Sequence, residues 1–149
     1  MKDKSDLVRG WLLKAESDLA AARLIIDGDG PYDTACFHCQ QAMEKFFKAF
    51  LLYHDQKIVR THDLEELAEM CSLLDGTFVW EGFDLEEITD YAVAARYDHD
   101  FWPGDDVARE ALAKAERIKE QIMGRIAPKT GSGGLPEKEG DRDNHFPAT

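Results

Sequence analysis

Gln40-Gln41-Ala42-Met43-Glu44-Lys45-Phe46-Phe47-Lys48-Ala49-Phe50 is the stretch that decides the fold. At roughly 100° per residue, Ala35, Cys39, Ala42, Phe46, Ala49 and Tyr53 fall on one side of a helix. Met43, Phe47 and Phe50 lie beside them. The apolar arc takes nearly half the circumference, wider than an ordinary surface helix needs. Such a helix belongs in the middle of a bundle. His38, Gln41, Lys45 and Lys48 line up along the remaining edge, a polar stripe on a largely buried helix.

The periodicity extends this helix over about Tyr32 to Asp55. A helix before it runs from about Ser5 to Asp27, with Ser5 as its expected N-cap. Its apolar seam is Val8, Leu12, Ala15, Leu19, Ala22 and Ile26, alternately four and three apart. Gly28-Asp29-Gly30-Pro31 ends it, and the short turn predicts an antiparallel hairpin. A third helix starts near Thr61-His62-Asp63, where Asp63 and Glu66 fit a capping box. Leu64, Leu67, Ala68, Cys71 and Leu74 supply its inner face. Phe78, Val79, Trp80 and Phe83 read as a connection packing aromatics over the bundle end. A fourth helix spans about Leu85 to Arg96, burying Leu85, Ile88, Tyr91 or Ala92, and Ala95. A fifth spans about Asp105 to Ile126, with Val107, Ala111, Ala115, Ile118, Ile122 and Ile126 as its seam. The fold class is therefore all-α: an antiparallel up-and-down bundle of four to five helices over residues 1–127. From Pro128 the periodicity stops, and residues 128–149, Gly-rich and then charged, are expected to form a disordered tail.

The chain has 149 residues and a net charge of −12, which opposes general affinity for long nucleic acids but permits a local basic site. No apolar run reaches membrane-spanning length, and the first residues lack the apolar stretch of a signal peptide. Three cysteines make no disulfide framework, which points to a reducing, cytoplasmic compartment. Cys36-Phe37-His38-Cys39 is a lone C-x-x-C without a second pair for zinc, and buried thiols on an apolar helix account for it. Glycine loops for phosphate, Ser/His/Asp patterns and metal clusters are missing, so no cofactor is expected.

Several pieces, in order, resemble the HEPN domain family (higher eukaryotes and prokaryotes nucleotide-binding). They are Trp11…Ala15…Asp18-Leu19…Ala22, then Phe37-His38-Cys39-Gln40-Gln41-Ala42-Met43-Glu44-Lys45-Phe46-Phe47-Lys48-Ala49. Thr61-His62-Asp63-Leu64…Leu67 and Tyr91…Ala95-Arg96-Tyr97 follow. The resemblance covers about Leu7 to Ile126. It implies a four- or five-helix bundle that dimerises and, in many members, a small nucleotidyltransferase partner within a toxin–antitoxin pair. Many members are metal-independent endoribonucleases, whose site is an Arg, four to six residues, then a His, completed across the dimer. Others lack that motif and bind RNA or nucleotides without cleaving. Here Arg96 is followed by His99, with two residues between them.

Arg96 and His99 are the candidate catalytic pair. A histidine suits general acid–base work at the 2′-hydroxyl or leaving oxygen, and an arginine suits a phosphate. Asp98 and Asp100 flank His99 and oppose an anion there; as a structural residue, Arg96 would cap a helix while pairing with an acid. His38, Gln41, Lys45 and Lys48 are candidate phosphate or nucleotide contacts, against a solvated edge with a Glu44–Lys48 pair. Gln41 and Glu44 could instead bond the neighbouring helices. His62, in the first turn of a helix, could reach an anion or belong to a cap. Tyr97 is a candidate acceptor for a transferred nucleotide, and Tyr97, Trp80, Phe101 and Trp102 could stack on bases or pack.

The shortened Arg96–His99 spacing makes a non-catalytic module binding a nucleotide or short RNA, with a nucleotidyltransferase partner, the leading expectation. A toxin-like metal-independent endoribonuclease and a ligand-free helical interaction subunit are the alternatives. A homodimer is expected because the apolar face of the second helix and the aromatic connections exceed what a small monomer needs.

Overall fold

The structure, a computed structural model, describes residues 2–57 and 59–126. It has five helices and, among the described residues, no strand: α1 Lys4–Asp27, α2 Tyr32–Tyr53, α3 Leu64–Leu74, α4 Leu85–Tyr97 and α5 Asp105–Met123. The expected tail lies outside the described residues.

α1 and α2 are the long hairpin. Lys4 Nζ donates to the Tyr53 carbonyl at 3.0 Å, so the start of α1 meets the end of α2. The seam from Val8 to Ile26 is buried throughout, as its spacing requires. In the turn, Gly30 adopts φ +106°, a conformation that favours a residue without a Cβ. α5 runs antiparallel to α1, tied to it by Arg23–Glu116 at 2.9 Å and Lys119–Glu16 at 2.7 Å. α2 packs against all four other helices and supplies Met43, Phe46, Phe47 and Phe50 to the centre of the core.

The aromatic connection behaves as read. Phe78 and Trp80 stack at 4.9 Å, Phe47 meets the Trp80 ring edge-on at 5.2 Å, and Trp80 Nε1 donates to Ser72 Oγ at 2.9 Å. The end of α5 clasps this loop. Gln121 bonds both the amide and the carbonyl of Val79, and the Arg125 guanidinium lies 4.2 Å from the Phe78 ring centre.

Helix ends are where expectation and structure part. Asp3, not Ser5, is the N-cap of α1, in a reciprocal capping box with Asp6. Asp63 caps α3 by accepting from the Glu65 and Glu66 amides, but the Glu66 carboxylate turns away to Thr61 Oγ1 at 2.9 Å, so the box is half formed. The other donor at this end, the Leu64 amide, is met by Thr89 Oγ1 of α4 at 2.9 Å. α2 and α5 stop two or three residues earlier than their periodicity suggests. Leu74 is exposed, and Ala95 and Val107 are only half-buried.

The Phe46 side chain is fully enclosed. Phe46→Ala should cost about 3–5 kcal/mol, the usual penalty for emptying such a site. Leu73→Ala, on an exposed side chain, should stay within about 0.5 kcal/mol. Urea denaturation followed by circular dichroism checks both.

Candidate functional site

The polar residues of α2 do not lie along a free edge. α2 is so enclosed that Gln40, Glu44 and Lys48 are buried with its apolar residues. Unpaired polar atoms there would be costly, and they satisfy one another in a chain. Lys45 donates to Gln41 Oε1 at 3.4 Å, Gln41 Nε2 to Gln40 Oε1 at 2.6 Å, and Gln40 Nε2 to Glu44 Oε1 at 3.1 Å. The other oxygen of Glu44 receives Lys48 Nζ at 2.8 Å and His62 Nδ1 at 2.7 Å.

Asp18 of α1 is the second anchor. Its two oxygens take His38 Nδ1 at 2.8 Å and Lys45 Nζ at 2.7 Å. Burial alone would raise the Asp18 carboxyl; the hydrogen bonds and charges of His38 and Lys45 overcome this and hold it below the usual carboxylate range. Glu44 is governed in the same way: burial opposes its charge, and hydrogen bonds from Lys48, His62 and Gln40 hold its pKa down. Both carboxylates are thus acceptors, which places the protons on His38 Nδ1 and His62 Nδ1. The expected phosphate stripe is therefore two carboxylate-centred trios, Asp18–His38–Lys45 and Glu44–Lys48–His62. Sequence reasoning found the Glu44–Lys48 pair but missed Asp18 and Gln40.

Arg96 and His99 are placed differently. Arg96 is in the last turn of α4, where Nε donates to the Ala92 carbonyl at 2.9 Å. Its guanidinium lies 5.4 Å from the Phe37 ring centre and 5.3 Å from that of Tyr97. It caps the helix as expected but makes no ion pair with an acid among the described residues. His99 sits in the loop before α5, and its carbonyl receives Trp102 Nε1 at 2.7 Å. The Asp98 carboxylate turns back onto the Asp100 amide at 2.9 Å, which fixes this loop. The imidazole of His99 is exposed, with no side-chain partner among the described residues. Val93, Tyr97 and Trp102 are 59%, 69% and 73% exposed, leaving large apolar groups beside this pair.

The three cysteines are buried free thiols. Burial, with the nearby Asp33 and Glu87 charges, pushes the Cys36 thiol up to about 12; burial alone does the same to Cys71 and raises Cys39 further. Among the described residues no group of three or more His, Cys, Asp or Glu side chains could hold a metal. No helix of the described residues is long and apolar enough to cross a membrane.

Asp18 and Glu44 have folded-state pKa values below their ordinary values of 3.8 and 4.5. Each therefore adds stability above its ordinary pKa, and that stability is lost as pH falls through the lower, folded value. Thermal unfolding should show the melting temperature dropping as pH falls below about 4.5. Asp18→Asn and Glu44→Gln should each lower it near neutrality and flatten this acid limb.

A family model described as the HEPN domain matches residues 8–125. Among solved structures, the crystal structure of an archaeal HEPN homologue is similar at a TM-score of 0.62 and 25% identity, over 85% of this chain and 100% of that one. A comparison with the curated proteins finds no match. The leading expectation of a non-catalytic module does not survive the family match, because HEPN membership is generally associated with metal-independent endoribonuclease activity. The Arg96–His99 spacing that motivated it is unchanged, while the α2 cations expected to hold the ligand are engaged by Asp18 and Glu44. With a five-helix bundle and a family model spanning most of its length, this chain belongs to the HEPN domain family.

Proposed function

We propose that the chain is a metal-independent endoribonuclease of the HEPN type, acting through Arg96 and His99. The observation that carries this reading is a contrast in pairing. The α2 cations His38, Lys45 and Lys48 are held by buried carboxylates, whereas the Arg96 guanidinium and His99 imidazole carry no acid partner among the described residues. They stand three residues apart at one exposed helix end.

In this scheme the His99 imidazole takes the proton of a ribose 2′-hydroxyl as that oxygen attacks the adjacent phosphorus. The P–O5′ bond breaks, and the 5′-oxygen leaves with a proton. Arg96 stabilises the charge growing on the phosphate oxygens. One histidine cannot both accept and supply a proton at the same instant, so a second copy of the chain supplies the acid. The exposed Val93, Tyr97 and Trp102 give that copy an apolar face next to the site. The apolar face of α2, which motivates a dimer from sequence, is buried within the single chain.

Tyr97 links the site to a nucleotidyltransferase partner. Its ring is 69% exposed beside Arg96. Attack of its phenol oxygen on a nucleoside triphosphate, releasing pyrophosphate, would set a phosphodiester against the arginine and block RNA.

Cleavage of a labelled single-stranded RNA in the presence of a chelator tests the reading. Arg96→Ala and His99→Ala should each reduce the rate about 10²–10⁴-fold. Val93→Glu should shift sedimentation to monomer and abolish cleavage with it. Absence of cleavage by the unaltered chain, or cleavage that survives both active-site substitutions, overturns the proposal.

A further inference from the structure

The two trios on α2 use the same chemistry but meet solvent differently. In the first, the His38 side chain is 28% exposed; in the second, Glu44 and Lys48 are each 9% exposed while His62 is 76% exposed. His62 is thus pinned through Nδ1 to a buried carboxylate, with Nε2 turned outward. Glu44 Oε2 is shared between Lys48 and His62, so the one carboxylate orients both an ammonium and an imidazole at this corner.

The surrounding corner adds to this. The α2–α3 connection contains His54, Lys57, Arg60 and His62 within a chain of net charge −12. Its acid, Asp55, is engaged by Lys4 at 3.0 Å. Asp63 is engaged by helix amides and Glu66 by Thr61. Lys57 and Arg60 have no such partner among the described residues. Beside Lys57 is a shallow notch of about 10 Å³, open to solvent and lined by Trp11, Lys48, Leu51, Leu52, Lys57 and Val59. A notch of this size holds about one water, so a phosphate here would rest at the surface against the exposed cations rather than inside a pocket.

We infer that the α2–α3 corner is a phosphate-binding site, in which His62 Nε2, Lys57 and Arg60 hold the phosphate of a nucleotide or RNA strand beside Trp11. The buried Glu44–Lys48 pair positions His62 for it. Glu44 follows Phe37, which lies under Arg96, by two helical turns on nearly the same face, about 10 Å along α2. A strand held at Arg96 can therefore reach the corner. The phosphate site stands whether or not Arg96 and His99 cleave RNA.

The experiment is an NMR titration of the histidine ring signals in the full chain, first with inorganic phosphate, then with a 5′-mononucleotide and a short oligouridylate. The His62 ring should shift saturably; Lys57→Ala and Arg60→Ala, followed at that ring, and His62→Ala, followed at the Lys57 and Arg60 amides, should each weaken phosphate about fivefold or more. All three side chains are exposed, circular dichroism checks that each variant keeps the bundle, and Arg109→Ala, paired with Asp105 on α5, should leave phosphate affinity unchanged. Tighter binding of the oligonucleotide identifies RNA as the source of the phosphate; equal or weaker binding identifies a free nucleotide or phosphate. If the unaltered chain cleaves RNA, His62→Ala should raise KM with kcat preserved. A His62 ring that does not move, or affinity indifferent to the three substitutions, overturns the inference even where Arg96-dependent cleavage is intact.

Discussion

The bundle depends on one constraint: α2 is surrounded, so the polar side chains it buries, Gln40, Glu44 and Lys48, must find partners inside the protein. An unmade hydrogen bond at such a position costs the full desolvation of the group. The chain Lys45–Gln41–Gln40–Glu44, closed by Asp18 at one end and by Lys48 and His62 at the other, is the solution adopted here. It also sets the register of neighbouring elements. Asp18 fixes α1 against the first half of α2, and His62 fixes the entry into α3. The aromatic packing of Phe46, Phe47 and Phe50 supplies the apolar burial but not this directional information.

The same constraint separates structural charge from available charge. Lysines on α2 look like a phosphate stripe only if their counter-charges are ignored. Binding a phosphate at Lys45 would mean prising it from Asp18, whose carboxylate would be left partly buried and short of a partner. Arg96 carries no such penalty. Its hydrogen bond goes to a helix carbonyl and its faces lie near aromatic rings, contacts that hold a guanidinium in place without neutralising it. The exposed end of α4 and the α2–α3 corner are two places where, among the described residues, positive charge stands without an acid partner.

Much of the architecture was legible because burial follows period. The α1 seam from Val8 to Ile26 and the α2 face through Ala35, Cys39, Ala42 and Phe46 are determined by spacing alone. Caps were less legible. Asp3 displaced Ser5, and Thr61 drew Glu66 from its capping box, because neighbouring carboxylates and hydroxyls compete for the same amides at little energetic difference. The site was legible in its residue types but not in its pairing. Asp18 is 20 residues from His38 and 27 from Lys45, a separation no helical wheel relates. A wheel likewise shows Lys48 on a polar edge, yet cannot show that it is buried, with Trp11, Lys57 and Val59 around it.

The difference between the two trios follows from what covers each histidine. His38 is within α2, next to the Phe37 ring at 5.4 Å, and its carboxylate comes from the adjacent long helix. Such a group is locked from both sides, and its role is to join α1 to α2. His62 is outside any helix, reached only through Glu44, and the rest of its ring faces water. A histidine held that way has lost rotational freedom without losing access, which is the condition under which ordering a side chain favours a ligand rather than only the fold. The same carboxylate–lysine–histidine chemistry thus acts as a joint between helices in one place. In the other it presents an oriented imidazole at the surface.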